Sequence, residues 1–215
     1  ANLRSLMLVQ ERIGEVEGEI KALEGIENYD FELTYRIARS YMEIKRFREA
    51  REIYLYLHES APKKEVQEES LYLAFRCCIP IEDISRAFEI GELYMKKYPC
   101  GEYFDPLTLT MGQLYARLQD WPEVIRHLTK TLEINPKHED GAECMFLLGY
   151  ASFMEEKFED AIKWFTTMNK DYPGNPREED SIYWLGMSLM FNKQYEEAGM
   201  EFDHLMQQFP NTQYM

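Results

Sequence analysis

Positive charge, glycine and cysteine are all scarce in this chain, and no apolar run is long. Its 215 residues hold 24 Lys and Arg against 39 Asp and Glu, a formal net charge of −15. So acidic a chain lacks the basic footprint that nucleic acid or an anionic membrane surface requires. Residues 137–215 alone carry 15 acidic and 6 basic side chains, −9 of that total. No stretch approaches the roughly 18 apolar residues of a membrane-spanning helix. The four cysteines, Cys77, Cys78, Cys100 and Cys144, form no CxxC and have no His pair at ligand spacing. A zinc site is therefore not expected, and the adjacent Cys77-Cys78 pair does not fit a secreted disulfide framework. The four histidines, His58, His127, His138 and His204, are far apart and read as surface or interface residues. There is no GxSxG, P-loop, HExxH or GxGxxG pattern. Acid pairs such as Glu159-Asp160 and Glu196-Glu197 are expected at helix starts, where carboxylates complement the helix dipole. No enzymatic activity, metal or cofactor is expected from these residues.

What is present is a period. Pro62, Pro99, Pro136, Pro173 and Pro210 stand 37 residues apart without a break. A fixed period of this length marks a repeat architecture. Each period holds two amphipathic helical stripes. In the last one, Ile182, Leu185, Gly186 and Leu189 form the first stripe, and Ala198, Phe202, Leu205 and Phe209 the second. Pro210 stops it. Small residues recur at two places: Ala38, Gly112, Gly149 and Gly186 in the first helix, and Ala50, Ala87, Ala161 and Ala198 in the second. Closely crossing helices need small side chains where they meet. Large residues flank them: Phe47, Ile84, Trp121, Phe158 and Tyr195 before the second helix, and Tyr54, Leu128, Phe165 and Phe202 one turn after its small residue. The second period departs, with Phe75 for the small residue and Gly91 for the large one.

This pattern of Leu-Gly, aromatic, Ala, aromatic and terminal Pro resembles the tetratricopeptide repeat (TPR) family. The resemblance covers about residues 31–210, with repeats at 31–62, 68–99, 105–136, 142–173 and 179–210. It implies an all-α, TPR-type α-solenoid, a right-handed superhelix of helical hairpins over residues 31–215. The Tyr-Pro or Phe-Pro endings and longer connectors of the last two repeats resemble the TPR subtype of bacterial envelope-assembly proteins. The compartment stays open between the cytoplasm and a bacterial periplasm.

The resemblance implies a function of binding rather than catalysis, with first helices lining a groove that takes a peptide or partner helix. Carried over by period, the groove presents Tyr35, Arg39, Met42 and Glu43, then Tyr72, Arg76 and Ile79, then Leu109, Gln113 and Arg117. It continues with Phe146, Tyr150, Phe153 and Met154, and with Tyr183, Met187, Met190 and Phe191. Arginine forks bind carboxylates, and aromatic and Met side chains make adaptable apolar pockets. The expected partner is a protein segment with acidic groups over Arg39, Arg76 and Arg117 and apolar anchors over Phe146, Tyr150 and Met187. The apolar end of the groove is equally open to the chain's own continuation or to a second copy.

Residues 1–30 are expected to form an N-terminal helix and connector. Leu6, Val9, Ile13, Val16, Ile20 and Leu23 alternate by three and four, a heptad seam. Three roles stay open: a cap packed near Tyr41, the second helix of an earlier repeat, or a self-associating coiled coil. The alternative to a binding scaffold is thus a structural subunit that oligomerises through this helix or through the apolar end of the groove.

Overall fold

The computed structural model describes residues 2–24 and 29–214, and among these every regular element is helical. The elements are α1 (Asn2–Glu24), α2 (Tyr29–Glu43), α3 (Phe47–Ser60), α4 (Lys64–Cys78), α5 (Ile84–Lys97), α6 (Phe104–Arg117), α7 (Trp121–Ile134), α8 (Gly141–Met154), α9 (Phe158–Asp171), α10 (Glu178–Phe191) and α11 (Tyr195–Gln208). The architecture is an all-α solenoid. It divides into two compact units, Ala1–Asp83 and Ile84–Met215. In the first, α2 packs on α3 and α3 on α4. In the second, each of α5 to α11 packs on the next.

One turn recurs five times. Lys45, Glu82, Gln119, Glu156 and Lys193, each 37 residues from the next, all take left-handed backbone with φ between 54° and 65°. Each ends a helix in the Schellman manner, satisfying carbonyls that the helix leaves open. The N–H of Arg46 reaches the Tyr41 carbonyl, Asp83 reaches Cys78, Asp120 reaches Tyr115, Lys157 reaches Ser152 and Gln194 reaches Leu189, at 2.8 to 3.1 Å. The helix that follows starts at once. Asp120 caps α7 through the Glu123 N–H, and Pro122 sits in the first turn, where no N–H is needed.

The small residues let helices approach closely. A Cβ on Gly112 would lie 2.7 Å from Leu128, one on Gly149 2.7 Å from Phe165, and one on Gly186 2.7 Å from Phe202. Gly91, which stands where the other repeats carry a large residue, is filled from the next helix: a Cβ there would collide with the Met111 sulfur. The core of the first unit gathers Ala38, Ala50, Tyr54, Leu57, Leu71, Phe75, Cys77 and Cys78. In the second unit, Val124, Leu128, Cys144 and Leu148 form one cluster and Phe146, Phe165, Met168, Leu185 and Leu189 another. Burying a Leu or Phe fully contributes about 1.5–3 kcal/mol.

Asp105 lies in the first turn of α6, and its carboxylate accepts from Asn135 Nδ2 and the Glu139 N–H, both at 2.8 Å. Of the four histidines, read as surface or interface residues, three are buried at contacts between elements. His58 Nδ1 donates to the Gln67 carbonyl at 2.9 Å, and His127 Nε2 to that of Thr108 at 2.8 Å. His138 accepts the Asp140 N–H on Nδ1, so its Nε2–H faces Thr108 Oγ1 at 3.2 Å. Each ties a loop or helix to its neighbour, a need that spacing alone does not reveal. Along α1, every side chain from Met7 to Glu19 is exposed, so over that length it caps nothing. The seam side chains Leu6, Ile20 and Leu23, and connector residues 25–28, lie outside the described set.

Candidate functional site

In the first unit, Tyr35 of α2 is half-buried and meets Tyr54 of α3 edge-on, with centroids 6.0 Å apart at 72°. Its hydroxyl donates to Glu69 Oε1 of α4 at 2.7 Å. Burial, followed by this bond, holds the hydroxyl pKa above the usual tyrosine range, so the group stays a donor. Arg39, one turn on, is exposed and lies 3.6 Å from Glu43 of its own helix. Tyr35, Arg39, Met42 and Glu43 join Tyr54, Glu69 and Leu73 around a pocket of about 470 Å³. On α4, the exposed Arg76 guanidinium sits 5.9 Å from the centre of the Tyr72 ring and has no ion pair among the described residues.

In the second unit, α6 lies against α8 and α8 against α10, which sets three first helices side by side. Gln113 and Arg117 of α6 are exposed. Phe146 is not: it is only 7% exposed, edge-on to Phe165 at 5.9 Å and covered by the Arg177 guanidinium at 4.8 Å. It anchors the core and does not line an open groove. Tyr150 stands edge-on between Trp121 at 5.5 Å and Trp184 at 4.9 Å. Phe153 meets Trp184, Phe158 and Phe191 at 5.1 to 5.6 Å. Met187 is half-buried and Met190 exposed. Tyr183 is half-buried, with Tyr214 stacked on it.

The structure thus joins Tyr35 to Arg39 in one pocket, and Tyr150 to Phe153 through Trp184. Trp184, Arg177 and Tyr214 were missed as site residues. The last two carried a faint signal, being 37 residues apart. A Cys, a His and an Asp also converge: Cys144 Sγ lies 3.9 Å from both ring nitrogens of His138, and Asp105 Oδ1 3.7 Å from Nε2. Cys144 is fully buried, and burial pushes its thiol pKa up to about 12. A thiol held that high is a packing group, not a nucleophile. Among the described residues, no three His, Cys, Asp or Glu side chains are placed to hold a metal ion, and no helix is long and apolar enough to cross a membrane.

Comparison with known proteins agrees with the geometry. The profile of YfiO, an outer membrane lipoprotein family, matches residues 64–215. The chain belongs to that family. A tetratricopeptide repeat profile matches residues 33–63. No curated protein matches this YfiO-family chain. Among solved structures it is similar to YrrB, a TPR protein with an unusual peptide-binding site, at 19% identity and TM-score 0.62, covering 91% of this chain and 94% of that one. MamA from Desulfovibrio magneticus RS-1 matches at 17% identity and TM-score 0.60, with 82% and 93% covered. A putative kinesin light chain of Podosopora anserina, with TPR-like repeats, matches at 14% and 0.57, with 82% and 92% covered. At such identities the likeness establishes the fold.

Proposed function

We propose that residues 31–215, read as five repeats behind an N-terminal helix, act as a non-enzymatic scaffold that holds a peptide or partner helix along the first helices. The observation that carries this is the uncovered rim of α8 and α10, where Met154, Met190 and Phe191 are 43%, 36% and 51% exposed beside the Tyr150–Trp184–Phe153 aromatic cluster. Contiguous exposed apolar groups of this kind mark contact surfaces, and Met adapts to varied partners. The peptide-binding site named for YrrB, on the same fold, supports the reading. Apolar anchors of the partner sit on Tyr150, Phe153, Met187 and Met190. Acidic groups of a partner face Arg76 where it lies on the first unit, or Arg117 where it lies on the second; neither arginine has an ion pair among the described residues. Tyr35, Arg39, Tyr72, Gln113 and Tyr183 complete the two faces.

The test is selection from a random peptide library on the immobilised chain, followed by anisotropy titration of the enriched peptides. Tyr150→Ala with Met187→Ala weakens peptides of apolar type at least about tenfold. Failure to enrich any saturably binding peptide would sink the reading.

A second reading rests on α1, where Val9, Ile13 and Val16 are all exposed along one seam. A second copy of the chain fits this stripe as a coiled-coil partner. Light-scattering mass across a concentration series, with and without residues 1–25, decides it: a monomer in both cases ends this reading.

A further inference from the structure

The pocket of the first unit has a charge that its own walls do not balance. Glu69 is half-buried at its edge and accepts one hydrogen bond, from Tyr35, at 2.7 Å. Among the described residues, no Lys, Arg or His comes within 4.0 Å of its carboxylate, and the one guanidinium that lines the pocket, Arg39, lies 3.6 Å from Glu43 instead. Tyr35 is held as a donor, so it reinforces the ionised carboxylate and does not neutralise it. Tyr35, whose hydroxyl edge meets Glu69, and Tyr54, edge-on to it at 72°, line the same pocket, with Met42 and Leu73 as apolar lining.

Each occupant class meets this lining differently. An acidic side chain would face Glu69 with only a guanidinium that is already paired. An apolar side chain would desolvate the carboxylate and leave it without a counter-charge, which is strongly unfavourable. A basic side chain satisfies every wall: its methylene stem lies on Met42, Leu73 and the tyrosine rings, and its charge meets Glu69. We propose that this pocket receives a lysine or arginine side chain of a bound protein segment, with Glu69 as its ion-pair partner and Tyr35 and Tyr54 as its walls. This rests on the reading of the chain as a protein-binding scaffold. It also sets a register. Glu69 and Arg76 are seven residues apart on α4, two turns, hence on one face about 10.5 Å apart along the axis. An extended segment with its base on Glu69 brings an acid to Arg76 about three residues away.

The test uses the full chain, ¹⁵N-labelled and titrated separately with the N-acetyl, N-methylamide derivatives of arginine, lysine, glutamate and norleucine. Arginine or lysine shifts the amide resonances of Tyr35, Met42 and Leu73 saturably, and glutamate and norleucine do not. Glu69→Gln keeps the acceptor for Tyr35 and weakens the basic probe at least about fivefold. Equal response to norleucine or glutamate, unchanged affinity in Glu69→Gln, or no saturable shift with either basic probe overturns the proposal. Library peptides that bind tightly without any basic residue, unaffected by Glu69→Gln, would sink it while leaving the scaffold reading intact. A chain that takes the arginine probe but enriches no peptide would do the reverse.

Discussion

Tyr214 stacks flat on Tyr183, with ring centroids 4.1 Å apart and planes at 11°, while its hydroxyl donates to Asp180 at 2.5 Å. One period earlier, Arg177 covers Phe146 at 4.8 Å and pairs with Glu143 at 3.1 Å. Covering residue, aromatic and acid are each displaced by 37. The same joint is made once with a guanidinium and once with a phenol. Tyr214→Ala removes both the stack and the hydroxyl bond, so a loss of about 1–2 kcal/mol is expected in urea unfolding. Tyr214→Phe keeps the stack and falls between that variant and the wild type. Equal midpoints for all three would show the joint to be idle.

Gly149→Ala sets helix propensity against packing. Alanine gains about 1 kcal/mol of propensity. Its Cβ, however, would lie 2.7 Å from Phe165, a ring that is itself fully buried. Overpacking a close contact costs about 1–3 kcal/mol, so net destabilisation is expected. Adding Phe165→Leu relieves the collision, and the double variant is then less destabilised than the two single changes sum to. Additive free energies in that cycle would refute the close approach.

Two buried groups set opposite pH limits. Burial depresses the His127 pKa from 6.5 to about 4. The unfolded chain takes up a proton there that the folded chain refuses. The stability His127 contributes is therefore complete above pH 6.5 and falls as pH drops toward 4. His127→Gln should flatten unfolding free energy between pH 6.5 and 5, above the carboxylate range. Burial raises the Tyr54 pKa from 10.0 to about 12. Its contribution is complete below pH 10 and is lost as pH rises toward 12. Tyr54→Phe should lower the dependence of the thermal midpoint on pH in that alkaline window. Wild-type slopes in these variants would remove the groups from the account.

Arg51 Nη1 meets Asp83 Oδ2 at 2.6 Å with the arginine side chain only 14% exposed. Asp83→Asn leaves a nearly buried cation with a weaker partner, and a loss of about 2 kcal/mol is expected by chemical denaturation. Arg51→Met, which removes the charge and keeps much of the bulk, is milder. The reverse order would mean that packing, not charge, matters at this site.

The five prolines and the alternation of small and large residues made the helical hairpins legible in the sequence, because one steric demand recurs at each crossing. Gly149 and Phe165 were readable as a pair for that reason. The site was less so. Phe146 shares a helix position with Tyr35 and Tyr183, yet Arg177, fixed by Glu143, closes over it and takes it out of reach. Arg39 was expected to offer its charge to a partner, and Glu43, one turn along the same helix, lies within ion-pair distance instead. Glu69 carried no signal in the sequence, because its importance comes from Tyr35, 34 residues away. Periodicity predicts which way a side chain points, and only its neighbours determine whether it is open.

The recurrent left-handed turn has an energetic consequence of its own. None of Lys45, Glu82, Gln119, Glu156 and Lys193 is glycine, so each Cβ crowds its own backbone, at about 1 kcal/mol. Five such turns store about 5 kcal/mol, comparable with the whole net stability of a small domain. The protein folds under an internal load distributed evenly along its length. Glycine at any one of these positions releases that load but loosens the unfolded chain, so the net gain is a fraction of a kcal/mol per turn. Against the many fully buried side chains this load is small, so glycine at all five turns together raises the thermal midpoint only modestly.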